Sequence, residues 1–380
     1  MRYRDHVLNW YDTRTLEPLE PRYVSSVDSG NLAVSLVTLK EGCRELADGP
    51  ALAPQRWDGL EDTLALLERA LERLPQDWRS RYGAELLGLL GRIHVKAAEA
   101  HADPAAWSGV LADLCECECR EFDRLLMESF RGRPGSLGLA ALHEVRVWLE
   151  RSHHHLRSMQ RDVETLAPWL GGLGAPPARL AEEARRLAAL LPPTGRLDGL
   201  AGRCQQARRR IAELRASHGP FDAPEADWLA SLERAIDAGE RNGSALRAEL
   251  VAAAQRAESA AMGMDFGLLY DREMRLLHVG YNVAAERLDP HHYDLRASEA
   301  RLASFFAIAK GDVPLEHWHS LGRPLTRAAS ELTLRSWGGS MFEYLMPTLL
   351  LRSQAATLLA QSERVAVAAQ RRHGARLGIP

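Results

Sequence analysis

Apolar residues recur at three- and four-residue steps through much of the chain, and nowhere more regularly than in WDGLEDTLALLERALERL, where Leu60, Leu64, Leu67, Leu71 and Leu74 form one stripe. Similar amphipathic segments follow near 80–101, 104–131, 137–170, 178–191, 197–217 and 224–260. Breaks fall at Leu74-Pro75, Asp103-Pro104, Arg133-Pro134-Gly135, Gly171 to Pro177, Pro192-Pro193 and Gly219-Pro220. The pattern predicts a bundle of antiparallel helices over residues 47–261, rich in Ala, Leu, Arg and Glu, whose ordinary role is scaffold or interaction surface. It carries no fixed-length repeat.

The flanks differ. Residues 1–46 open without a helical period, and the spacing predicts a helix only after Asp28 or Ser29, either of which could cap NLAVSLVTLKEG. From Met262 the pattern turns to short extended runs: FGLLYD, REM and RLLHVGYNV predict a hairpin. A helix from about Tyr293 to Ala309 follows, ended by Lys310-Gly311, with Gly in the left-handed position past a helix end. Asp312 and Pro314 start another through His317 to His319, and Ser340 with Glu343 matches a capping box before LMPTLLLR.

On the 293–309 helix, Glu299 interrupts the stripe of Leu295, Leu302, Phe306 and Ala309. A carboxylate there is either buried with a partner or faces a cavity, where it can serve as a proton donor. The plain alternatives are an ion pair with Arg301 or Arg296, or a carboxylate accepting backbone hydrogen bonds at a helix start. The stretch from Asp265 to Tyr344 also concentrates aromatics, carboxylates, Arg and Gly more densely than a structural helix requires, with Gly338 and Gly339 allowing close backbone approach to a ligand. The irregular arm with Trp10, Tyr11, Asp12, Arg14, Asp28 and Asn31 reads equally as part of a polar site or as a cap and a structural arm.

Composition narrows the function classes. The 48 basic and 51 acidic residues leave a net charge of −3, with no basic block beyond patches such as Arg208-Arg209-Arg210, so nucleic acid has no electrostatic footprint. No apolar run reaches membrane-spanning length, and MRYRDHVLNWYD has no signal region. Five cysteines, an odd number, fit a reducing compartment. Cys115, Cys117 and Cys119 alternate on a helical stretch and point apart, as do adjacent His153, His154 and His155, so neither trio reads as a metal site, and no cofactor motif is present.

Taken together, NWYDTRTLEPLEPRYVSSVDSGNLA, GYNV, LDPHHYDLRASEARLASFFAIAKGDVP, the HW pair, LGRPLT and SWGGSMFEYLMP resemble the glycoamylase-like domain of bacterial cyclic β-1,2-glucan synthases. The resemblance covers roughly residues 1–46 and 262–380, leaving 47–261 as a helical insert. It implies an all-α fold, the (α/α)6-barrel type of several glycoside hydrolases, here an incomplete barrel with an inserted bundle and a short hairpin. It implies retaining cleavage and transglycosylation of linear β-1,2-glucan leading to cyclisation, which needs a nucleophile and an acid/base carboxylate about 5 Å apart.

Glu299 matches the family's acid/base position in SEARLASF. The resemblance places the nucleophile in a Trp-Gly-Ile-Ser-Glu-Ser motif beyond Pro380, and other synthase domains on either side, so that this chain alone is expected to be inactive and barrel-incomplete. Substrate contacts are expected from Trp10, Tyr11, Asp12, Arg14, Asp28, Asn31, Tyr281, Asn282, Tyr293, Asp294, Arg301, Trp318, Arg323, Trp337 and Glu343, with rings stacking on sugars and charged groups fixing hydroxyls. The expected partners are β-1,2-glucan and the rest of the synthase. The expected place is the cytoplasm, on the inner-membrane face in the parent protein. A non-catalytic helical carbohydrate-binding or interaction module is the alternative.

Overall fold

A computed structural model describes residues 2–130, 139–217, 220–328 and 331–379, so the breaks expected at Arg133-Pro134-Gly135 and at Gly219 lie outside the described residues. The fold is all-α with a few short strands. It divides into two compact units, one formed by Met1–Arg44 with Val251–Pro380 and the other by Glu45–Leu250.

The second unit is a bundle of helices. Gln55–Glu72 packs along Leu139–Leu166 and against Ala84–Ala102, and all five leucines of the 60–74 stripe are at most 2% exposed. Trp57 and Trp107 meet within this core with ring centroids 6.0 Å apart. Two of the buried indoles place their N–H groups on main-chain oxygens: Trp107 donates to the Ala100 carbonyl and Trp169 to that of Leu191. Two helices contain a π-turn, at Arg79–Gly83 and Leu114–Glu118. The second holds Cys115 and Cys117, and with Cys119 the three range from exposed to buried rather than sharing one face.

The first unit has a smaller core built from Val24, Ala33, Phe266, Leu269, Leu302, Ala303, Phe306 and Ala307. A three-stranded antiparallel sheet orders Tyr23–Ser25, Gly280–Asn282 and Arg287–Leu288, and the expected hairpin pairs Tyr270–Asp271 with Leu276–Leu277. The first helix, Ser26–Asp48, starts earlier than its capping residues suggested, because the Ser25 hydroxyl accepts the Asp28 N–H and takes over as cap. The helix expected from 293 begins only at Arg301 and runs Arg301–Lys310. Ser298 with φ +48° breaks the regular turn before it, and residues 295–300 form turns. Gly311 ends the helix in the left-handed conformation, as its place in the sequence predicts. The described helices of this unit do not close into a barrel.

The capping box at Ser340 and Glu343 is present, and Glu343 does more than cap. Its carboxylate accepts N–H groups from Gly338, Ser298 and Ser340. Burial pushes the Glu343 carboxyl up, but these N–H groups and the Ser336 hydroxyl outweigh it and hold it below its ordinary value of 4.5. A depressed carboxyl contributes stability above its unfolded pKa and loses it as pH falls through the folded value. Glu343→Gln is therefore expected to flatten the acid-side decline in stability between about pH 5 and pH 3, checked by denaturant titration across that range; an unchanged slope would show that other carboxylates carry it.

Where Ser26–Asp48 crosses Arg301–Lys310, a Cβ on Gly30 would sit 2.5 Å from the Ala303 Cβ and 2.6 Å from its backbone. Gly30→Ala is expected to cost about 1–3 kcal/mol. Gly42→Ala on the same helix meets nothing within 4 Å and is expected to gain about 1 kcal/mol. Denaturant unfolding of the two variants measures both signs.

Candidate functional site

Residues 293–301 are fixed by what their cations do. Arg296 and Arg301 are 1% and 3% exposed. Arg296 donates to the carbonyls of Tyr344 and Leu359, and Arg301 to those of Glu343 and Tyr344. Both guanidinium groups lie 3.7 Å from one oxygen of Glu363. Burial and the neighbouring Arg296 push Arg301 down to about 10, opposed by Glu363, so it remains a cation at neutral pH. The ion pair expected between Glu299 and one of these arginines is therefore not formed: both cations are committed to Glu363 and to main-chain oxygens.

Glu299 itself is 8% exposed and held by neutral groups. The Asn31 amide donates to its Oε1 at 2.6 Å, and the adjacent Ser298 hydroxyl donates to its Oε2. The Asn31 Oδ1 is buried without a partner among the described residues. Asn31 comes from the first turns of Ser26–Asp48, so residues 268 apart in sequence meet through the helix crossing that Gly30 permits.

Aromatic and acidic residues surround this pair. Tyr293 is raised by burial and by the negative charges of Asp28, Glu299 and Asp289. Tyr23 is raised by burial, by Asp289 and by Tyr293, and its hydroxyl lies 3.4 Å from Asp289. Both phenols thus stay protonated and can donate. The Trp337 ring tilts against Tyr293 at 5.6 Å, and its indole N–H donates to Asp294. Gly322 leaves room for that carboxylate, since a Cβ there would land on Asp294. Asp294, Arg335, Trp337, Gly338 and Gly339 line an open cleft of about 630 Å³. Trp10 lies 6.4 Å from Tyr23 and is about half exposed.

The other expected contact residues fall into separate places. Tyr11 accepts the Leu8 N–H, and Asp12 closes a turn by accepting the N–H groups of Arg14 and Thr15. Asp28 is exposed and accepts from Asn9. Tyr281 stacks on Tyr3 at 5.3 Å, and Asn282 accepts the Ala285 N–H in the strand turn. Trp318 packs beside Leu295, Leu321 and Leu334, while Arg323 donates to the Trp318, His319 and Leu321 carbonyls at the end of Glu316–Ser320. With Arg301, they line a second cleft of about 470 Å³. Glu343 accepts the Ser298 N–H, which ties it to the Glu299 turn. Sequence reasoning missed Asn9, Tyr23, Asp289 and Ser298. The first two stand inside NWYD and PRYV and the others inside LDPHHYD and SEARLASF, so motif membership was the signal that could have found them.

A carboxylate shielded from solvent, oriented by an amide and a hydroxyl and flanked by phenols and an indole, can exchange a proton with an oxygen of a polar ligand that stacks on the rings.

No protein-family model matches the sequence. The chain is 36% identical, over all 380 of its residues, to the cyclic beta-(1,2)-glucan synthase NdvB of Rhizobium meliloti (strain 1021), and it spans 11% of that protein's length. No helix among the described residues is long and apolar enough to cross a membrane. Identity extended over the whole chain bears out the resemblance as far as the synthase: the chain is similar along its whole length to one segment of a cyclic β-(1,2)-glucan synthase.

Proposed function

We propose that the first unit carries a glycoside-cleaving, transglycosylating site for linear β-1,2-glucan, with Glu299 as its acid/base. The observation that carries this reading is the setting of Glu299, a nearly buried carboxylate held by Asn31 and Ser298 rather than by the two arginines beside it in sequence. Neither partner is a cation, so no guanidinium competes with a glycosidic oxygen for this carboxyl. Tyr293 and Trp337 offer ring faces of the kind that pack on sugars, and Asp294, fixed by the Trp337 N–H, faces the adjoining cleft where hydroxyls would be bound.

In a retaining sequence, the acid protonates the departing glycosidic oxygen while a second carboxylate attacks the anomeric carbon; the acid then acts as base and deprotonates the acceptor. When the acceptor is the glucan's own far end, a ring closes; when it is water, the chain is hydrolysed. The second carboxylate is the one the resemblance assigns to the Trp-Gly-Ile-Ser-Glu-Ser motif following this stretch.

Linear β-1,2-glucan incubated with this chain, alone and extended through that motif, and resolved by mass, tests the reading, because a cyclic product carries one water fewer than its linear counterpart. The extended protein is expected to form cyclic products, and Glu299→Gln to lower cleavage by about 10²- to 10⁴-fold with folding unchanged. Near-normal turnover in Glu299→Gln would return Glu299 to a structural role. Binding without turnover in either protein would favour the carbohydrate-binding module.

A further inference from the structure

Asp271, His278 and His292 stand apart from the proposed chemistry and form a cluster of their own, with the His292 Nε2 in hydrogen-bond distance of Asp271 and the two imidazole rings 4.5 Å apart. The three come from different places: Asp271 ends one strand of the hairpin, His278 follows the other, and His292 lies opposite His278 in an isolated antiparallel bridge. One donor atom from each falls within 4.8 Å of the others. The Asp271 Oδ2 is 3.2 Å from the His292 Nε2 and 3.7 Å from the His278 Nε2. Four ligands about 2.1 Å from a tetrahedral zinc ion stand about 3.4 Å from one another, so these separations bracket those of a metal site.

Two of the three donors are held by groups behind them. The His278 Nδ1 lies 2.6 Å from the Asp289 carbonyl, which can only accept, so Nδ1 carries a proton and Nε2 is the nitrogen turned toward Asp271. The other oxygen of Asp271 accepts the N–H groups of Glu273 and Met274, both at 2.9 Å, which turns Oδ2 toward the imidazoles. A ring nitrogen bonded to a carbonyl and a carboxylate pinned by backbone amides are the outer supports that metal ligands have. The three side chains are 12–20% exposed, so the cluster is neither sealed nor open on a flat surface.

We propose that Asp271, His278 and His292 bind one divalent first-row transition metal ion. Two imidazoles and a carboxylate suit Zn²⁺, Co²⁺ or Ni²⁺ rather than Ca²⁺ or Mg²⁺, which prefer all-oxygen shells. The ion would staple the hairpin to the segment 289–292 that leads directly into Tyr293 and Asp294, and it takes no part in the proton transfer proposed for Glu299.

The test uses the full chain after chelator treatment, with Zn²⁺ titrated by calorimetry and Co²⁺ by absorption. Asp271→Asn is the first variant, because its amide oxygen still accepts the Glu273 and Met274 N–H groups; His292→Gln is the second. The wild type is expected to bind one equivalent of Zn²⁺ that both variants lose or hold at least about 100-fold more weakly. Its unfolding temperature should rise with Zn²⁺ while those of the variants do not, and its Co²⁺ spectrum should show tetrahedral ligand-field bands without thiolate charge transfer, excluding the five cysteines as the ligands. Equal Zn²⁺ stoichiometry and affinity in the wild type and both folded variants would overturn the proposal, as would a thiolate signature on the one equivalent.

Discussion

Two guanidinium groups withdrawn from water within six residues, at Arg296 and Arg301, set the terms for the rest of the first unit. Burying a cation is costly unless it is paired, and here the terminal nitrogens of both groups donate to three main-chain carbonyls and one carboxylate lies 3.7 Å from each. This commitment holds the segment 341–345 and the last helix, Leu358–Leu377, to the turn that carries Glu299. It also occupies both nearby positive charges. Glu299 is thereby left among neutral donors, and its surroundings follow from a choice made by its neighbours.

Much of the fold was legible because it rests on local rules. The stripe from Leu60 to Leu74 repeats with the helical period and is buried throughout, the Ser340–Glu343 box caps the helix it precedes, and Gly311 ends the helix before it. Glu299 stands out in the sequence as a carboxylate out of place on an apolar helix face, yet the helix does not extend back to it. A helical period is a statement about side chains that face the same way. Leu295 and Leu302 are both buried, but Leu295 sits in the turns around the left-handed Ser298 and only Leu302 in the helix. Pattern alone cannot separate these cases, since both hide the same residues.

What the sequence left unread depends on contacts across long separations. Asn31 and Glu299 are 268 positions apart, and nothing near Asn31 marks it as the partner of a carboxylate. The triad of Asp271, His278 and His292 has no ligand spacing of a kind that a motif would register, because one strand pairing and a bridge assemble it. The two runs that did catch the eye, the alternating cysteines and the consecutive histidines, sit on helical stretches where neighbours diverge. Proximity in sequence misled there, and proximity through the fold was invisible.

Gly322 touches no ligand in any reading of this site, yet any side chain at that position would occupy the place of the Asp294 carboxylate. A survey of tolerated substitutions would consequently mark position 322 as intolerant and could mistake it for a contact residue. Its importance is that of an empty volume: the acid beside it keeps its orientation only while the glycine contributes nothing.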